Sequence, residues 1–283
     1  MDTLGIVAGE GTLPFSVARN ARNQGLAVYA VGFEGTTDPS LEQHVDGLCW
    51  IKLGQLGKLI SYFKNHEVTR SVFIGRIAHK VVFTDLKLDF KMLQLAMKLK
   101  DWRTDSILRL IADEITANGI EVIDSTTFIP ELLPKPGILT RCKPDKKQQE
   151  DIHFGFYIAK RLAGLDVGQT VVVRKKSVCA LEAIEGTNKA ILRGGELGKK
   201  DVVVVKVSKP NQDMRFDVPV IGEHTIDVLK QANAAVLAIE AYKTILIEPE
   251  KVIAKADSYN IALVSADPSA FDFSEYETNG RGV

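Results

Sequence analysis

At 283 residues the chain is long enough for two ordinary domains, and its 45% apolar and 25% charged composition is that of a globular protein. Lys and Arg number 36, as do Asp and Glu, so the chain carries no net charge at pH 7 and offers no global field to attract nucleic acid. No apolar run reaches the roughly 18–20 residues of a membrane span, and Cys49, Cys142 and Cys179 lie too far apart for a CxxC zinc or disulfide pattern, so a protein of a reducing, cytoplasmic compartment is expected.

Leu4–Ala8 is a short apolar run ending in Gly9-Glu10-Gly11, with no basic region ahead of it, and reads as a first strand rather than a signal peptide. Leu13, Val17 and Ala21 then share one helical face up to Gln24, where Gly25 stops the helix. Apolar runs at 27–31, 49–53 and 71–74, with a helix at 56–65, give the rhythm of a parallel sheet covered on both faces. A helix at 104–118 and a strand at 120–123 follow. Residues 1–133 are therefore expected to form a Rossmann-like domain. Pro130, Pro134 and Pro136 cannot continue a helix or central strand and mark a boundary, with 134–144 as a linker.

Within this half, residues 85–100 carry two apolar stripes at about 100° per residue. Leu86, Phe90, Leu93 and Met97 form one; Leu88, Met92, Leu95 and Leu99 form the other. A surface helix needs only one apolar face. The second stripe either packs on protein or, beside Lys87, Lys91 and Lys98, houses acyl chains or meets a membrane surface.

The second half opens with a helix at 145–162. Residues 169–174 and 177–181 form a hairpin around Lys175-Lys176, and 202–207 is a β-branched strand. A helix at 223–233, a candidate hairpin of 235–239 with 244–247, a helix from Pro249 to Tyr259 and a strand at 261–264 complete an α/β domain with a mixed sheet over 145–266. The polar tail, 267–283, is expected to be mobile.

A strand, Gly-x-Gly and a helix invite a dinucleotide reading, but Pro14 stands where the third glycine would fall, and the second strand runs into Val31-Gly32-Phe33 without a clear acidic residue. Gly9, Gly11 and the helix start at Pro14 still offer a ligand close backbone approach, or else make a tight turn with no ligand. Asp217 interrupts the apolar run 216–221 and is either functional or paired with Arg215. Glu182 and Glu185 are either hard oxygen ligands for a divalent cation or charges at a helix start. Lys206, Lys209 and Arg215 suit a pyrophosphate, or are solvated surface cations. Gln169, Thr187 and Gln212 complete the candidate substrate contacts, and Asp213 the candidate metal ligands. The five histidines show no metal-ligand spacing.

Five segments in order, Gly5 to Pro14, Gly54-Gln-Leu-Gly57, Leu165 to Gln169, Val178 to Thr187 and Lys206 to Gly222, resemble the UDP-2,3-diacylglucosamine pyrophosphatases of bacteria that lack the calcineurin-like metallophosphatase for this step. The resemblance runs from about Leu4 to Val264. It implies Mg2+-dependent hydrolysis of a lipid-linked UDP-sugar to UMP and 2,3-diacylglucosamine 1-phosphate, with water directed at the β-phosphorus and the product held between the two domains. It also implies an essential aspartate in an Arg-x-Asp-x-Pro segment, matched here by Arg215, Asp217 and Pro219, as metal ligand or general base. Asn188 stands where the family often has Asp. The expected partners are the lipid-linked substrate, the cytoplasmic face of the inner membrane and, left open, a second copy of the chain. The alternative is a nucleotide-sugar-binding or regulatory module without hydrolytic activity.

Overall fold

A computed structural model describes residues 2–76, 88–99 and 104–277. The chain divides into two compact units: Met1–Pro130 with Asp213–Asp217, and Glu131–Gln212 with Val218–Val283.

Unit 1 is built on five parallel strands, β1 (Thr3–Ala8), β2 (Ala27–Phe33), β3 (Gly47–Ile51), β4 (Arg70–Ile74) and β5 (Glu121–Val122), in the order β3-β2-β1-β4-β5. This is the doubly wound order, whose reversal falls between β1 and β4. Helix α1 (Leu13–Asn23) takes Pro14 in its first turn, where no N–H is needed, and buries Leu13, Val17, Ala18 and Ala21. Helix α2 (Leu56–Asn65) buries Leu56, Leu59, Ile60 and Phe63, the spacing of one helical face. Helices α3 (Phe90–Ala96) and α4 (Thr104–Ala117) complete the unit.

In α3 the second stripe packs on protein, one of the two alternatives left open for it. Leu95 is buried and Met92 packs against the unit 1 core, whereas Phe90 and Met97 are 75% and 77% exposed. Leu88 of the second stripe remains exposed, and Leu86 of the first lies outside the described residues.

Residues 213–217 group with unit 1 and not with the C-terminal body to which the sequence assigned them. Phe216 is buried in the cluster that contains Val7, Phe63 and Ile115, and both the backbone N–H and the hydroxyl of Ser125 donate to Met214 O at 3.0 and 2.9 Å. Burying a phenyl ring is worth roughly 1.5–3 kcal/mol, enough to hold a short segment away from its sequence neighbours.

Unit 2 is a six-stranded mixed sheet in the order β6-β13-β11-β9-β7-β8, from β6 (Gly137–Ile138), β7 (Thr170–Arg174), β8 (Ser177–Leu181), β9 (Val202–Lys206), β11 (Ala234–Glu240) and β13 (Ala262–Ala266). β9, β11 and β13 are mutually parallel; β7, β8 and β6 pair antiparallel. The expected linker is therefore partly a strand of this sheet. The expected hairpin of 235–239 with 244–247 does not form, because β11 already has β9 and β13 on its two edges. Instead β12 (Ile245–Leu246) pairs in parallel with β10 (Val220–Ile221).

The period-2 rule shows in β9: Val202 and Val204 enter one core cluster with Ile191, Ile226 and Leu229, and Val203 and Val205 enter the other with Ile152 and Phe156. The second face is covered by α5 (Lys146–Gly164), closed at its start by an Asp145–Gln148 capping box. Phe271 and Phe273 of the tail pack on this cluster, and Tyr276 donates to or accepts from His153 Nδ1 at 3.0 Å. Residues 267–277 are thus not a loose end, because three aromatic rings bury area there. On the first face lie α6 (Thr187–Gly198), α7 (Glu223–Gln231) and α8 (Pro249–Ser258).

The β7–β8 hairpin forms as expected, but its turn residues Lys175 and Lys176 both adopt left-handed φ, 53° and 54°. This is the two-residue turn that favours Asn-Gly. Buried Asp151 holds it, accepting from Lys175 N at 2.8 Å and Lys176 N at 2.5 Å. Asp151→Ala is expected to cost about 2 kcal/mol in urea unfolding, the worth of charge-assisted hydrogen bonds lost from a strained turn. An unchanged midpoint would show that the turn does not need the carboxylate.

Candidate functional site

The carboxyl ends of parallel strands are where open α/β sheets bind ligands. In unit 2 the strand registers bring the start of β7, the end of β8 and the end of β9 to that edge: Thr170 pairs with Lys206, and Val171 with Leu181. Four candidate residues converge there. The Glu182 carboxylate accepts from Thr187 Oγ1 at 2.7 Å and from Gln169 N at 3.2 Å, and Lys206 Nζ lies 3.5 Å from Thr187 Oγ1. Thr187 opens α6, whose N-cap is Gly186, at φ 81°, with no side-chain cap. An uncapped helix start beside a lysine favours an anion. Next along the chain, Lys209 Nζ is 2.7 Å from Asp166, and the Gln212 amide oxygen accepts from Lys209 N at 3.2 Å.

Behind this edge is a pair missing from the sequence reading. Glu240, at the end of β11, is 3% exposed and accepts from Lys160 Nζ and Ser208 N, each at 3.0 Å. It fixes the residue that precedes Lys209. The only sequence signal was an acidic residue ending an apolar run.

The other candidates are placed differently. Glu185 turns to Arg193 Nη2 at 2.6 Å, a bond that holds its carboxyl below the ordinary range. Asn188, in the first turn of α6, lies 3.2 Å from His224 Nε2. In unit 1, Arg215 clasps Asp213 with two nitrogens at 2.9 and 2.8 Å, and that hydrogen bonding lowers the Asp213 carboxyl. Asp217 is exposed, with a left-handed φ of 57°, between buried Phe216 and buried Pro219. Its place in an apolar run therefore incurs no burial cost.

Glu182 and Glu185 belong to unit 2, Asp213 and Asp217 to unit 1. Among the described residues no three His, Cys, Asp or Glu side chains gather as a metal cage. Mg2+ in phosphate enzymes characteristically takes one or two carboxylates and completes its shell with water and substrate oxygens. Of the four candidate ligands, Glu185 is held by Arg193 and Asp213 by Arg215.

The glycine turn of unit 1 splits into two roles. A Cβ at Gly9 would lie 2.7 Å from the Gly75 carbonyl carbon, so Gly9 is required by close packing of the β1 and β4 ends. There Glu10 and Arg76 form an antiparallel bridge and a 2.8 Å ion pair that tie the ends of β1 and β4 at the strand-order reversal. Gly11, φ 106°, has open space around it and lines a cavity of about 790 Å³ beside the β1 and β2 ends. Pro14 is buried in the first turn of α1 and serves packing.

Together these features define a two-unit α/β protein with a candidate ligand-binding edge on the sheet of unit 2. The family model described as the LpxI N-terminal domain matches residues 3–132, and the one described as the LpxI C-terminal domain matches 135–264. The chain belongs to the LpxI family. A curated relative, UDP-2,3-diacylglucosamine pyrophosphatase LpxI of Caulobacter vibrioides, is 28% identical over 95% of this chain and 99% of its own length. Two solved structures are remote likenesses. A biotin carboxylase domain of a thermophilic 2-oxoglutarate carboxylase shares 12% identity over 61% of this chain and 35% of that one, with a TM-score of 0.26. N5-carboxyaminoimidazole ribonucleotide synthetase from Thermotoga maritima shares 14% over 65% and 42%, with a TM-score of 0.25. Neither carries an argument about fold or activity. Among the described residues no helix is long and apolar enough to cross a membrane.

Proposed function

We propose that this chain hydrolyses the pyrophosphate of UDP-2,3-diacylglucosamine, releasing UMP and 2,3-diacylglucosamine 1-phosphate. The match of both domain families across the chain carries this reading, and the anion-favouring edge of unit 2 supports it. A phosphoanhydride is densely negative, so its hydrolysis needs charge neutralisation and an aligned water. Lys206 and the N–H groups opening α6 are suited to phosphate oxygens; Glu182 accepts the hydrogen bond of the Thr187 hydroxyl and so holds the first residue of that helix. Asp217 is assigned the water: it accepts the proton as the water oxygen bonds to the β-phosphorus. The bond from that phosphorus to the bridging oxygen breaks, and UMP leaves with the bridging oxygen. Mg2+, when bound, lowers the charge of the pyrophosphate, with Asp217 or Glu182 as its protein carboxylate.

Protein incubated with UDP-2,3-diacylglucosamine and Mg2+ is expected to release UMP, to stop on addition of EDTA, and in 18O-water to place the label in the sugar phosphate. Label in UMP would move the attack to the α-phosphorus. Binding of the substrate with no UMP formed would leave a non-hydrolytic binding module.

A further inference from the structure

The cavity beside the β1 and β2 ends has no part in the chemistry assigned so far. Its walls include the rings of Phe15 and Trp50, the backbone of Gly11 and Thr12, and four carboxylates. Two of the carboxylates are engaged: Glu10 is held by Arg76, and Asp38 accepts from the N–H and hydroxyl of Ser40 at 2.9 and 2.8 Å. Glu34 is not comparably held. Its nearest cation, Lys52, stands at 4.0 Å, the limit of an ion pair, and half the Glu34 side chain is exposed.

The position of Glu34 answers the acidic residue not found in the sequence. β2 continues through Gly32 to Phe33, and Glu34 N donates to Ile51 O at 3.0 Å, so Glu34 is the first residue past the strand. Gly35, φ 71°, then turns the chain back, and Thr37 Oγ1 fastens the turn by donating to Ala8 O at 2.6 Å and accepting from Phe33 N at 2.8 Å. A carboxylate at the end of the second strand, facing a cavity next to the glycine turn, is placed to accept hydrogen bonds from ribose hydroxyls. Two aromatic rings supply faces for a base. A cavity lined with acidic residues repels a pyrophosphate, so the phosphates of a ligand are expected outside it.

We infer that this cavity of unit 1 binds the ribonucleoside part of a nucleotide ligand, with the ribose 2′-hydroxyl on Glu34 and the base against Trp50 and Phe15. The inference rests on the reading of the substrate as a UDP-sugar, and names the element that selects its ribose.

Calorimetry on the full chain with UMP and 2′-deoxy-UMP tests it. Wild type is expected to bind UMP about tenfold or more tightly than the deoxy ligand, the usual weight of a charge-assisted hydrogen bond. Glu34→Gln is expected to weaken UMP by about the same factor, to leave 2′-deoxy-UMP unchanged, and so to erase the preference. No UMP binding at millimolar concentration, equal binding of both ligands by wild type, or a preference that survives in Glu34→Gln would each overturn the assignment. UMP release from UDP-2,3-diacylglucosamine by the same preparation separates the two readings. Hydrolysis without a Glu34-dependent preference removes only this inference, and the preference without hydrolysis removes only the proposed reaction.

Discussion

Asp217→Asn is expected to lower kcat by about 10²–10⁴-fold, the weight of a positioned general base, while substrate binding and folding survive. The choice of Asn follows from the backbone. Position 217 has φ 57°, a conformation that Asp and Asn tolerate and that costs other residues roughly 1–2 kcal/mol. Asp217→Ala would mix that cost into the kinetics; Asn removes the charge and the base and leaves the backbone preference alone. Because the side chain is exposed, stability should change by no more than about 0.5 kcal/mol. Single-turnover kinetics with substrate binding measured in parallel decide the point. An Asn variant that turns over like wild type would end the assignment of Asp217 to the water.

The largest effect on stability is expected at Glu240. Glu240→Ala leaves the Lys160 ammonium without its buried partner and Ser208 N without an acceptor, a loss of about 3–5 kcal/mol in urea unfolding. Glu240→Gln should cost less, since an amide oxygen still accepts from Ser208 N. The double variant Lys160→Met with Glu240→Met should recover the part of the loss due to the unpaired charge, while Ser208 N still lacks its acceptor. Singles and double that simply add would show that the ions do not act as a pair. Ser208 leads directly into Lys209, so a higher KM is expected in Glu240→Gln even where the protein remains folded.

The strands of unit 1 were legible as short apolar runs and its helices by one regular buried face. Leu56, Leu59, Ile60 and Phe63 spell α2 directly. Helix α6 was not foreseen, because Gly194, Gly195 and Gly198 argue against a helix on propensity. The fold needs them: a Cβ at Gly194 would lie 2.5 Å from Val172 Cβ, and one at Gly195 would lie 2.3 Å from Ala232 O. Close approach of a helix to a sheet is a tertiary fact that no local window contains. The missed Glu34 has a similar cause. Gly32 read as the end of a strand, but the strand passes through it because Trp50 and Thr37 pack over the space a Cβ would fill. Within the site, the convergence of Gln169, Glu182, Thr187 and Lys206 matches residues chosen from the sequence. The basic partners that occupy Glu185 and Asp213 were hidden: Arg193 lies two helical turns away, and the Arg215 side chain could equally have served Asp217.

The return of Asp213–Asp217 to unit 1 bears on how the protein is made. When Pro130 leaves the ribosome, Phe216 has not yet been translated, so the N-terminal sheet waits with a gap in its core. Synthesis at about 5–20 residues per second makes that wait several seconds long. The nascent chain therefore carries a partly open apolar surface until unit 2 is well under way.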